Sequence, residues 1–288
     1  MVEQQYPFPV SEILDNEAAN SNRQNLESGN RDLVIREGAG HDSRLRDILT
    51  DQAWLKTSLI FILLFVPSQV FEHTAQGPQF FYAPSTEFYP GESLLRRPFT
   101  EETVPTYMLA IYVTLLVLLT CAAEILILKL KGASTVEAYS AAVRVLVDEC
   151  NVLQIAYSFV SFVKRGIGRL RPDFLARLET NDSGIVDEGK LSYPSGHTAL
   201  SCACAAYWTI HLTWRLHYCA TPLLRCASRP YWLKEIVAFG KVVLVGLGPA
   251  AALFISASRV YDYRHLPSDV NAGAIIGICT AICVWFQR

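Results

Sequence analysis

The chain has 288 residues, 51% of them hydrophobic, and a formal net charge of −2 from 25 basic and 27 acidic side chains. So balanced a charge leaves no basic footprint for nucleic acid, and that partner is excluded. Bulk composition sits near the apolar share of soluble domains, about 45–50%, so the placement of the apolar residues has to decide the class.

Residues 1–50 mix Asn, Glu, Asp, Ser and Arg and read as a polar, disordered cytosolic tail. No apolar stretch follows Met1, so no cleavable signal peptide is expected. Residues 51–288 read as one domain. Its apolar stretches are about 18–25 residues long, enough to cross a hydrocarbon core of about 30 Å. They are Trp54–Phe71, Pro105–Lys129, Ala138–Val163, His197–Trp214, Ile236–Ala257 and Asp269–Phe286. The expected fold is all-α, a polytopic bundle of six transmembrane helices.

Several spans carry further signals. Ala138–Val163 holds Arg144, Asp148, Glu149, Asn151 and Gln154. Its helix should start near Val143, with the polar residues at one end or turned toward other helices. Glu124 reads as a satisfied or snorkelling carboxylate. Ala199, Ser201, Ala203, Ala205 and Ala206, and later Gly240, Gly246 and Gly248, favour close helix packing, and Pro249 a kink. The eight cysteines (Cys121, Cys150, Cys202, Cys204, Cys219, Cys226, Cys279 and Cys283) fall in or beside apolar runs and read as small buried hydrophobes. Cys202 and Cys204 lack ligand-like partners, so no zinc site is expected.

Six spans put both termini on one side, the cytosolic one. Loops 131–142 and 215–234 share that side, and 72–104, 164–196 and 258–268 lie opposite. The cations of 215–234 fit the positive-inside rule; those of 164–196 do not. Either the orientation is reversed or those cations serve chemistry. The sequon Asn181-Asp182-Ser183 falls in the same loop, which makes Asn181 a glycosylation candidate and favours a luminal or extracellular face. The aromatic residues of 72–104 suit a membrane interface or a cover over a site.

Three polar clusters share that predicted face. In Ser192-Tyr193-Pro194-Ser195-Gly196-His197, Ser195 is a good N-cap, Gly196 allows a close backbone approach, and the free N–H groups of a helix start attract an anion. In Lys164–Pro172, Lys164 and Arg171 stand two helical turns apart and suit phosphate oxygens. In Ser258–Asp269, His265 and Asp269 are four apart, so the carboxylate can fix the tautomer of the ring, and Arg259 adds a cation. Each cluster has a bland reading, a snorkelling basic rim or a structural His–Asp pair. Together they fit one mechanism. Lys164, Arg171, Arg259 and the N–H groups around Ser195–His197 hold a phosphate. His265 attacks phosphorus, Asp269 orients it, and His197 protonates the leaving oxygen. No carboxylate set suited to magnesium sits beside them, so neither a metal nor a cofactor is expected.

KxxxxxxRP at Lys164–Pro172, PSGH at Pro194–His197 and SRxxxxxHxxxD at Ser258–Asp269, in that order, resemble the signatures of the type 2 phosphatidic acid phosphatase (lipid phosphate phosphatase) superfamily. The resemblance implies His265 as nucleophile, Asp269 as its partner, His197 as acid, and Lys164, Arg171, Ser195, Gly196 and Arg259 as phosphate binders. It also implies a site at the luminal or extracellular membrane face and metal-independent hydrolysis of phosphatidate, lysophosphatidate, diacylglycerol pyrophosphate or sphingoid phosphates. The expected partners are that lipid substrate, the bilayer and, as an option, further copies of the chain. The expected location is the endoplasmic reticulum, the Golgi or vacuole, or the plasma membrane. The short, cysteine-free loop between the first two signatures looks more like fungal or plant members. A polyisoprenyl diphosphate phosphatase or a lipid phosphotransferase of the same superfamily is the alternative, and a non-catalytic lipid-binding scaffold a more distant one. A soluble haloperoxidase shares the signatures, but the spans exclude it.

Overall fold

The computed structural model describes residues 59–74, 95–218 and 230–287. The tail 1–50, most of the loop 72–104, Cys219 and Cys226 lie outside the described residues. Every regular element among those described is helical, and no strand occurs there. In chain order these are α1 (Val66–Thr74, continuing a π-helical turn at Phe61–Phe65), α2 (Thr106–Leu130), α3 (Thr135–Ile167), α4 (Phe174–Leu178), α5 (Ser183–Gly189), α6 (Gly196–Thr213, continued by a π-helical turn at Trp214–Tyr218), α7 (Tyr231–Tyr261) and α8 (Pro267–Phe286). Four of them, α2, α3, α7 and α8, are long and apolar enough to cross a membrane.

α3 begins eight residues before Val143, earlier than its apolar core implies. Ser134 and Glu137 explain this: the Ser134 hydroxyl accepts from the Glu137 N–H, and the Glu137 carboxylate accepts from the Ser134 N–H. This reciprocal cap satisfies two otherwise orphaned donors and sets the start. The helix has 33 residues, about 50 Å at 1.5 Å per residue. Of its polar residues, Glu149 and Asn151 are buried and Asp148 and Gln154 half-buried, while Arg144 near its start is exposed. Asp148 accepts a 3.0 Å hydrogen bond from the Tyr207 hydroxyl of α6.

α6 is the hub and packs on α2, α3, α7 and α8. Its small-residue face meets glycines of α8. A Cβ on Gly273 would stand 2.5 Å from the Ser195 carbonyl oxygen, and one on Gly277 would collide with the Ala199 carbonyl. Hydrocarbon gives helices no hydrophobic drive to associate, and such backbone approach is how they gain contact. Leu116, Val117 and Ile127 of α2 pack on Cys204, Trp208 and Leu212 of α6; Val145, Val152 and Ala156 of α3 pack on its Ala203 and Tyr207. At the far end of α6, the buried Glu124 meets His211 Nε2 at 3.1 Å and also pairs with Arg215. It is a satisfied carboxylate, as the sequence suggests.

α7 lies on the outside, with 11% of its apolar window buried. Here two expectations change. Gly248 is close to α6, since its Cβ would stand 2.9 Å from Trp208, but Gly240 and Gly246 have nothing within 4 Å and do not mediate packing. Likewise Cys150, Cys279 and Cys283 are exposed on helix surfaces, and among the described residues only Cys204 is a fully buried cysteine. An apolar residue in a membrane helix satisfies its environment by facing lipid as well as by facing protein, so apolar context does not imply burial.

Candidate active site

The site forms where the C-terminal ends of α3 and α7 meet the N-terminal ends of α6 and α8. α3 stops at Ile167 because Gly168 takes a left-handed conformation (φ 60°) and returns its N–H to the Lys164 carbonyl. Lys164 and Arg171 therefore do not share one helix. Lys164 is in the last turn of α3, with its Nζ 3.9 Å from where a Cβ on Gly196 would be, and Arg171 comes back on the following loop. They still converge: the charges of Arg259, Lys164 and Arg171 all act on His197, and those of Arg171 and Lys164 on His265.

Ser195 caps α6 as its type predicts, accepting from the Thr198 N–H at 3.5 Å and the Thr198 hydroxyl at 3.1 Å. Its own N–H donates to the Asp269 carbonyl at 3.0 Å. That removes one donor from the expected anion cradle and ties the start of α6 to α8. The N–H groups of Gly196 and His197, and the Ser195 hydroxyl proton, remain for a ligand. His197 Nε2 is buried without a hydrogen-bond partner among the described residues.

Asp269 is the third residue of α8, behind Pro267 at its first turn, and is fully buried. Its Oδ2 accepts from the Leu266 N–H at 3.0 Å and the Ser192 hydroxyl at 2.6 Å; its Oδ1 accepts from Arg169 at 2.8 Å. His265 sits just before the helix, 4% exposed, with Nδ1 3.7 Å from Asp269 Oδ2. Burial, with the positive charges of Arg171 and Lys164, pushes its pKa down to about 3 against the pull of Asp269. The ring is neutral at physiological pH, the form that carries a lone pair.

Arg259 is 1% exposed and bonded to Asp262 at 3.1 Å, Glu102 at 3.3 Å and the Ser258 hydroxyl at 3.2 Å. Arg171 pairs with Glu188 at 3.0 Å, and its burial lowers the pKa of the guanidinium. Glu188 in turn binds Arg177 at 3.0 Å. Burial alone would raise its carboxyl, but the two arginines hold it at about 2. Arg177, fully buried, also binds Asp173 at 2.9 Å and the Ile185 carbonyl at 3.1 Å. The guanidiniums of Arg177 and Arg264 lie over the Phe99 ring, 4.8 and 4.5 Å from its centre.

Sequence reasoning did not reach this supporting shell: Arg169, Asp173, Arg177, Glu188, Ser192, Asp262, Arg264 and, from before α2, Phe99 and Glu102. One signal pointed to part of it. Four of the six cations of loop 164–196 are paired here: Arg169 with Asp269, Arg171 and Arg177 with Glu188, and Lys190 with Asp187 at 2.8 Å. Much of the conflicting charge is neutralised locally. The segment before α2 is tied to the loop after α7: Thr103 binds Asp262 through its N–H and hydroxyl, Arg264 donates to the Thr100 carbonyl, and Arg97 lies over the Tyr263 ring. Of the aromatic residues expected at the interface or over the site, Phe80, Phe81, Tyr82, Phe88 and Tyr89 lie outside the described residues. Asn181 is exposed, with φ 57°, in the turn between α4 and α5. Among the described residues no group of three or more His, Cys, Asp or Glu side chains could hold a metal ion.

Residues 146–288 match the family model of the PAP2 superfamily. This chain belongs to the PAP2 superfamily. The matched region carries all three signatures, so the PAP2 part of the chain supplies every site residue predicted from sequence, while Phe99 and Glu102 come from outside it. Among curated relatives, the chain is 30% identical over 138 residues to a PA-phosphatase related-family protein of Dictyostelium discoideum, covering 46% of this chain and 45% of that protein. It is 32% identical over 146 residues to a probable diacylglycerol pyrophosphate phosphatase 1 of Schizosaccharomyces pombe, covering 44% and 47%. It is 28% identical over 217 residues to human phospholipid phosphatase 2, covering 67% and 70%. The chain spans about half the length of the first two and 70% of the third. No solved structure matches it.

Proposed function

We propose that this PAP2 protein is an integral-membrane lipid phosphate phosphatase. The observation that carries the reading is the convergence of His265, Asp269 and His197 with Lys164, Arg171 and Arg259 at one end of four packed helices. That end lies at a membrane surface if the helices cross the bilayer, and a headgroup can enter there while the acyl chains stay in lipid. The names of the phospholipid and diacylglycerol pyrophosphate phosphatase relatives support the substrate class.

The reaction proceeds in two displacements. The substrate phosphate is held by Lys164, Arg171 and Arg259, the Gly196 and His197 N–H groups and the Ser195 hydroxyl. The His265 Nε2 lone pair forms the N–P bond as the P–O bond to the lipid breaks, and His197 gives the departing oxygen its proton. A water then attacks phosphorus, returning a proton to His197. The N–P bond breaks, inorganic phosphate leaves, and the lone pair returns to His265. Charge developing on the phosphoryl oxygens is met by three cations and fixed backbone dipoles, so turnover proceeds without a metal.

Six spans complete the architecture in this reading: α2, α3, α7 and α8, the central and more polar α6, and the stretch around α1. Both termini are cytosolic and the site faces the lumen or the outside. The exposed Asn181 then carries glycan, and endoglycosidase treatment of protein from a eukaryotic host shortens its apparent mass; protein left unmodified there contradicts this orientation. The activity itself is tested with purified protein in detergent. Phosphate is released from phosphatidate in excess EDTA, and vanadate inhibits. A strict magnesium requirement contradicts the metal-free mechanism, and silence on a panel of lipid phosphates contradicts the enzyme.

A further inference from the structure

We infer that Ser192 is a positioning residue for the nucleophile: its hydroxyl bridges the His265 ring to the Asp269 carboxylate and fixes the ring proton on Nδ1. The inference rests on the reading of His265 as the attacking group. Ser192 stands outside the three signature motifs.

The direct His265–Asp269 contact is 3.7 Å, beyond a hydrogen bond. Ser192 Oγ, fully buried, lies 2.6 Å from Asp269 Oδ2 and 3.4 Å from His265 Nδ1. A hydroxyl has one proton. At 2.6 Å that proton belongs to the bond with the carboxylate, in the range of O–H···O⁻ contacts. Asp269 already accepts from Arg169 and the Leu266 N–H, so it has no proton to give back. The Ser192 oxygen is therefore left only as an acceptor, and Nδ1 has to be the donor. This tautomer puts the lone pair on Nε2, the nitrogen turned away from Asp269.

The bridge is itself anchored. The Ser192 N–H donates to the Arg169 carbonyl at 2.8 Å, and the Arg169 side chain holds Asp269. Arg169, Asp269 and Ser192 thus close a ring of hydrogen bonds around the far side of the imidazole. When Nε2 bonds to phosphorus and the ring becomes positive, the proton on Nδ1 stays in place and the Ser192–Asp269 pair stabilises the charge.

The test uses the full chain in detergent, with phosphatidate micelles for turnover and vanadate for binding, a phosphate mimic held by Lys164, Arg171 and Arg259 and bound more tightly when the Nε2 lone pair joins it. Ser192→Ala and the near-isosteric Ser192→Cys lower kcat and vanadate affinity by about 10- to 100-fold, with KM little changed. Ser192→Thr, which keeps the hydroxyl, recovers most of both. In a His265→Ala background, Ser192→Ala weakens vanadate no further, because Ser192 acts through the ring. Wild-type kcat and vanadate affinity in both Ser192→Ala and Ser192→Cys overturn the inference. So does an undiminished effect of Ser192→Ala when His265 is absent. Should the wild type release no phosphate from any lipid, the proposed function fails, and the vanadate series still decides the role of Ser192.

Discussion

His265 is a buried imidazole on which burial and the charges of Arg171 and Lys164 act against Asp269. Its folded pKa, about 3, lies below the ordinary value near 6.5. The unfolded chain therefore binds one more proton between those values, and the stability that the neutral ring contributes is lost as pH falls through that window. The apparent melting midpoint in detergent should drop from pH 6.5 to 4 more steeply in wild type than in His265→Gln; parallel curves would refute this. Arg177 allows a second prediction. With no exposed surface and Asp173 equally buried, truncating it leaves that carboxylate only the longer 3.7 Å pairing with Arg264. Arg177→Ala should cost about 3–5 kcal/mol, and Arg177→Ala/Asp173→Ala less, measured by unfolding in the same detergent; a double variant worse than the single one would count against the pairing. The signature residues were legible because their chemistry recurs at fixed short spacings. Their supports were not. Glu102 and Arg259 are 157 positions apart, and no local pattern pairs them.

At the scale of elements, the site depends on α6 lying directly against α8. Ser195 reaches the Asp269 carbonyl because Gly273 and Gly277 let the two backbones touch. Gly277→Ala places a methyl against the Ala199 carbonyl, a strain of about 1–3 kcal/mol or more. It should lower both the melting midpoint and phosphate release, while Gly240→Ala, with open space around it, leaves both unchanged. Equal behaviour of the two variants would show that the close approach does not matter. Sequence reading placed these helices within a few residues but judged them by apolarity, a measure of contact with lipid. α6, enclosed by protein on several sides, holds Thr198, Ser201 and His211, each with a hydrogen-bond partner. α7, facing outward, shows the opposite pattern.

At the scale of the whole molecule, the PAP2 region at 146–288 is bonded to residues 95–104, which meet Arg259, Asp262 and Arg264. Glu102 and Thr103 hold Arg259 and Asp262 from there, so the arginine proposed to bind phosphate is set by a segment outside the matched family region. The motifs named residues that the fold brings together; they could not disclose this strap, since its polar residues have meaning only against a loop far along the chain. The central claim remains chemical, that His265 takes the phosphoryl group. Rapid quenching of the purified protein with radiolabelled phosphatidate in EDTA tests it most directly. The account predicts an acid-labile, base-stable label on the peptide that carries His265, absent from His265→Ala. A turning-over enzyme that never carries label, or a label that persists in His265→Ala, would contradict it.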